Sequence, residues 1–72
     1  MHIEINGETR EVTDGINLDG LVEQLRLAPE RLAIELNREV VRRADWPQTP
    51  LKDGDRVEIV HFVGGGGFSF AA

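Results

Sequence analysis

The sequence predicts an α+β fold: a mixed sheet of four to five strands with one helix packed across one face. Three observations predict it. His2-Ile3-Glu4-Ile5 alternates polar and apolar residues, the period of a half-buried strand. Val57 to Val63 is the most β-prone stretch of the chain. Between them, Leu18, Leu21, Val22 and Leu25 recur at the spacing of one helix face. The 72 residues make one small domain, with no internal repeat and no gap wide enough for a second. A chain of this size buries only about 60% of the surface it exposes when unfolded. It has no cysteine, so neither a disulfide nor a thiolate metal site supports it. Regular packing has to suffice.

Taken in order, each element has a local cause. Asn6-Gly7 is the strongest short hairpin signal, because both positions tolerate positive φ. Thr9 to Val12 is then the returning strand. Thr13-Asp14-Gly15 is a turn, and Asn17 stands where a helix N-cap belongs, with Asp19 complementing the dipole of the first turn. The helix starts at Leu18, carries a costly Gly20, and runs for about ten residues before Pro29 stops it. Leu32, Ile34 and Leu36 share one face of the next strand. Asn37-Arg38-Glu39 turns the chain into a short strand at Val40-Val41. Pro47 and Pro50 exclude a long element around Trp46, which caps one end of the core. Asp53-Gly54-Asp55 turns into the last strand. A hairpin, a crossover helix and further strands place the first and last strands parallel at the sheet centre. That arrangement is the ubiquitin-like β-grasp, over residues 1–63. Residues 64–72 form a flexible, glycine-rich tail.

Charge narrows the functional classes. Thirteen acids against eight bases give a net charge of −5, which argues against nucleic acid and favours a basic patch on a protein partner. No stretch approaches the roughly 20 apolar residues of a membrane span. The N-terminus reads as a strand rather than a signal peptide, so the expected location is cytoplasmic and the free protein is expected to be a monomer.

The residues offer little for catalysis. Ser69 is the only serine, so no Ser-His-Asp set can be assembled. The two histidines, His2 and His61, are too few for an all-histidine zinc site, and no metal site is expected. Glu4, Glu8, Glu11, Glu35 and Glu58 are most simply solvated, and His61 is a partly covered strand histidine. The glycine run lacks the Gly-Lys-Ser/Thr of a phosphate loop. Hence no enzyme with its own active site and no bound cofactor is expected.

Two features remain. Val60 and Phe62 lie on the opposite face of the last strand from Val57 and Ile59. One helix covers one face of a sheet, so this pair forms a docking patch unless loops around Trp46 cover it. Directly after that strand come Gly64, Gly65, Gly66 and Gly67. A run without Cβ atoms extends by about 3.5 Å per residue and threads narrow channels. It serves either as a linker to Phe68-Ser69-Phe70-Ala71-Ala72 or as a tail delivered into another protein's active site.

Residues 1–66 resemble the ThiS family of sulfur carrier proteins of thiamin biosynthesis. The resemblance rests on the opening strand with Asn6-Gly7, on Leu36 to Val41 followed by Arg43 and Trp46, on Leu51 to Val60, and on Phe62-Val63-Gly64-Gly65-Gly66. It implies that the carboxylate of the last glycine is the acceptor, Gly66 by alignment with the family and Gly67 as the alternative. It implies a ThiF-type adenylating enzyme that consumes ATP, a sulfur donor fed by a cysteine desulfurase, and a ThiG-type thiazole synthase as recipient of the thiocarboxylate sulfur. Members normally stop at the glycines, whereas this sequence continues. A carboxyl held in a peptide bond cannot be adenylated, so a peptidase that trims the tail is expected. Competing readings are a molybdopterin-type or amino-acid-biosynthesis sulfur carrier, a ubiquitin-like protein modifier, and an interaction module without tail chemistry.

Overall fold

Asn6 and Gly7 take left-handed φ values of 49° and 84°. Strand β1 (His2–Ile5) therefore turns directly into β2 (Glu8–Glu11), with Ile5 opposite Glu8 and His2 opposite Glu11. The computed structural model describes residues 1–62 and the backbone of residues 68–70. Gly64 to Gly67, with the acceptor glycines among them, lie outside the described residues.

Helix α1 (Leu18–Gln24) begins as its sequence dictates. The Asn17 side chain accepts a hydrogen bond from the Gly20 N–H at 2.7 Å. The glycine itself has a steric reason. A Cβ there would lie 3.0 Å from Ile16 Cγ1 and 3.3 Å from Asn17 Oδ1. The helix is shorter than expected, and Pro29 is not what ends it. Arg26 enters the left-handed region at φ 58°. Its N–H bonds the Glu23 carbonyl at 3.0 Å while Leu27 N–H bonds that of Val22 at 3.1 Å. That pair of bonds closes the helix in a Schellman turn, here without a glycine. Pro29 opens a separate short 3-10 helix, Pro29–Arg31.

Strands β3 (Leu32–Leu36) and β4 (Glu39–Val41) form a second hairpin around Asn37 and Arg38, at φ 51° and 72°. A 3-10 helix, Arg43–Gln48, carries Trp46, and β5 (Arg56–Phe62) completes the domain. The sheet order is β2-β1-β5-β3-β4, with β1 and β5 parallel and the other neighbours antiparallel. This is the expected β-grasp, with the first and last strands of the domain side by side. The tail adds an element that sequence reading did not assign: β6 (Phe68–Phe70) pairs antiparallel with β5.

Ile3, Ile5, Ile34, Val57 and Ile59 point from the sheet into the core, where Leu18, Leu21 and Val22 of α1 meet them. Trp46 is 1% exposed within the same cluster, and its Nε1 donates to the Val41 carbonyl at 2.9 Å. It closes the helix side of the sheet, beside α1. The loops around it therefore do not cover the other face.

Two asparagines fix β5 at its edges. At the β1 edge, the Asn6 carboxamide accepts from Ile59 N–H at 2.8 Å and donates to Ile59 C=O at 3.2 Å. It takes the place of one more strand residue after β1 ends. At the other edge, Asn37 N–H donates to Arg56 C=O at 2.8 Å and its Oδ1 accepts from Arg56 N–H at 2.9 Å. Asn37 Nδ2 also reaches the buried Asp55 carboxylate at 3.1 Å, whose second oxygen accepts from Lys52 N–H at 2.8 Å.

Two stability experiments follow from this packing. Trp46→Ala is expected to lower unfolding free energy by about 3–5 kcal/mol, measured by urea titration with circular dichroism. Asn6→Gly keeps the left-handed turn but strips Ile59 of both partners. The same titration is expected to show a loss of about 1–3 kcal/mol for it.

Candidate functional site

β5 carries the chain from the middle of the sheet to the start of the glycine run. Side chains alternate along it: Val57 and Ile59 are buried beneath α1, and Glu58, Val60 and Phe62 turn to the outer face. Val60 is half-buried, and Phe62 is 47% exposed at the end of the strand. The structure thus places the two expected docking residues together on the face of the sheet opposite α1. His61 returns to the helix side and is half-buried, as expected for a strand histidine.

Register extends the patch beyond what the sequence indicated. Ala33 lies opposite Val60, and Glu35 lies between Glu58 on β5 and Val40 on β4. Val40 is 72% exposed. In a Val-Val pair one residue faces each way, and only the pairing of Val41 with the buried Ile34 shows that Val40 faces out. The outer face therefore combines Ala33, Val40, Val60 and Phe62 with two carboxylates, Glu35 and Glu58, set directly opposite each other. Like charges in that position oppose sheet pairing. Neither has a salt-bridge partner among the described residues. An apolar surface bordered by two unpaired acids fits a partner that brings apolar side chains and at least one arginine or lysine.

Elsewhere the chemistry is sparse. Among the described residues no group of three His, Cys, Asp or Glu side chains is placed to hold a metal ion. No helix among them is long and apolar enough to cross a membrane. A surface hollow of about 270 Å³ is lined by Asn37, Arg38, Gly54 and Arg56, beside the β3–β4 turn and the start of β5. The ion pair of the Met1 ammonium with Asp14 is also remote. The hydrogen bond from the Met1 ammonium to Asp14, at 2.7 Å, raises the amine above its ordinary range and holds the Asp14 carboxyl below its own. Both groups lie near Asp53 and His2, at the end of the sheet opposite to Phe62.

Known proteins agree with this geometry. The ThiS family model matches residues 3–66. The crystal structure of a thiamine biosynthesis protein (ThiS) from Geobacter metallireducens superposes with a TM-score of 0.81 at 38% identity, covering 92% of this chain and all of the other. The sulfur carrier protein ThiS of Escherichia coli is 29% identical over 66 residues, which is 92% of this chain and 100% of the relative. The thiazole synthase of Magnetococcus marinus is 42% identical over 66 residues, again 92% of this chain but only 20% of that protein. A second thiazole synthase, from Paramagnetospirillum magneticum, is matched over the same 20% of its length. The chain thus spans about a fifth of these two synthases and nearly the whole of the small carriers. With the family model matched from β1 through Gly66 and the fold shared with a solved ThiS structure, the chain belongs to the ThiS family.

Proposed function

We propose that this protein is a sulfur carrier in thiamin biosynthesis, acting as a co-substrate of other enzymes and not as an enzyme itself. The observation that carries the proposal is the match of the family model through Gly66, on a fold whose central strand leads straight into the glycine run. Small carriers named ThiS from three bacteria match 86% to 92% of this chain. The chemistry is leaving-group activation. A ThiF-type enzyme lets the carboxylate of Gly66 attack the α-phosphorus of ATP, releasing pyrophosphate and forming an acyl-adenylate. The terminal sulfur of a persulfide donor, supplied by a cysteine desulfurase, then displaces AMP to give an acyl disulfide. A second thiol cleaves its S–S bond, releasing a C-terminal thiocarboxylate and leaving the donor sulfur in a disulfide. The carrier contributes no acid or base. It contributes reach through Gly64 and Gly65, and a docking face around Val60 and Phe62.

A thiazole synthase of the ThiG type is the proposed recipient of the sulfur. Support comes from the two thiazole synthases that contain a region similar to this chain. The residues after the glycines set a condition. Gly66 lies in a peptide bond in the sequence as it stands, so a peptidase must first expose its carboxylate.

A reconstituted reaction tests the proposal. The chain ending at Gly66, given a ThiF-type enzyme, ATP, a persulfide donor and a thiol reductant, is expected to gain the mass of one oxygen-to-sulfur exchange. The full chain is expected to gain nothing. Absence of any adduct on the trimmed form would instead favour a binding module. In the same assay Phe62→Asp and Val60→Asp are expected to slow adenylation about ten-fold or more, with the circular dichroism spectrum unchanged.

A further inference from the structure

The edges of β5 are not equally covered along their length. β3 pairs with it from Val57 to His61, whereas β1 pairs with it only at Arg56 and Val57. The Asn6 carboxamide then satisfies both backbone groups of Ile59. These bonds fix where the remaining groups point. The Val57 carbonyl and both groups of Ile59 bond toward β1, while both groups of Arg56 bond toward Asn37 on the β3 side. By the two-residue period of a strand, Glu58 and Val60 turn their backbone groups to β3 and His61 turns its own to the β1 side. Neither β1 nor Asn6 reaches His61.

β6 occupies that place. It runs antiparallel to β5 with Phe70 opposite Val60, Ser69 opposite His61 and Phe68 opposite Phe62. In this register His61 and Ser69 form the hydrogen-bonded pair. The sequence suits the role, because Phe-Ser-Phe alternates in step with Val60-His61-Phe62.

We propose that Phe68–Phe70 is a built-in cover strand that closes the β5 edge at His61 as long as the chain beyond the glycine run remains attached. Its removal leaves His61 N–H and C=O unpaired in the central strand, on an edge of the kind to which extended peptides add. A three-residue strand is short and weak, which is what a removable cover requires. The inference stands on backbone register alone and does not depend on sulfur chemistry. If the tail is trimmed as proposed above, one cut frees both the Gly66 carboxylate and the strand edge.

Amide hydrogen exchange, followed residue by residue by NMR, tests this on three forms: the full chain, its Ser69→Pro variant and the chain ending at Gly66. Proline removes the N–H that Ser69 offers to His61 and cannot continue the ladder. The His61 amide is expected to exchange about ten-fold or more slowly in the full chain than in the other two. The Val60 amide, which bonds toward β3, is expected to behave alike in all three. Equal exchange of His61 in every form overturns the proposal, as does a loss of Val60 protection alongside His61. Thiocarboxylate formation enters neither outcome, so the carrier reading and the cover strand stand or fall separately.

Discussion

β5 is the central strand of the sheet, and two asparagines complete hydrogen bonds that its neighbouring strands leave open. Asn6 extends β1 by pairing with both groups of Ile59. Asn37 holds Arg56 through its backbone N–H and its side-chain oxygen, and its Nδ2 adds a bond to the buried Asp55. Buried backbone groups without partners are costly, and in a domain with so small a core that cost would matter. Both residues occupy left-handed turn positions. Asparagine tolerates that conformation and brings a donor and an acceptor at once. The tips of two hairpins thereby lock the strand between them.

This arrangement divides the sheet into two faces with different duties. The helix side holds Ile3, Ile5, Ile34, Val57 and Ile59 against α1, with Trp46 sealing the layer. The outer side keeps Val60, Phe62 and Val40 in reach of solvent, with Glu35 and Glu58 facing each other across the strands. Neither the exposed apolar surface nor the paired acids help the isolated domain. Both suit contact with a basic, partly apolar partner surface, and both include residues of the strand that leads to the glycine run. The absence of cysteine takes on a different meaning in this light, because the proposed sulfur rides on a backbone carboxylate and not on a side chain.

Much of the fold was legible residue by residue. Asn6-Gly7, the N-cap at Asn17, the helical spacing from Leu18 and the shared face of Leu32, Ile34 and Leu36 all act over a few residues. Each has the structure its local chemistry demands. The end of α1 was not legible. Arg26 adopts a conformation usually left to glycine, and a Schellman turn, not Pro29, closes the helix. Of the candidate site, Val60 and Phe62 could be read from alternation within one strand. Val40 could not, because its face follows from pairing with a strand earlier in the chain.

The sequence by itself determined the element order, the hairpin turns, the helix start, the apolar faces and the position of the glycine run. Periodicity and turn chemistry are properties of neighbouring residues, so they survive without knowledge of the fold. Only the tertiary structure decided which edge of β5 each segment occupies. Asn6 and Ile59 are far apart in the chain, and no local signal says that a turn residue will complete a ladder with the last strand of the domain. The same holds for Phe68–Phe70, whose alternation permits a strand but names no partner. Backbone hydrogen bonding fixes that choice, through the one stretch of β5 edge that β1 and Asn6 leave uncovered.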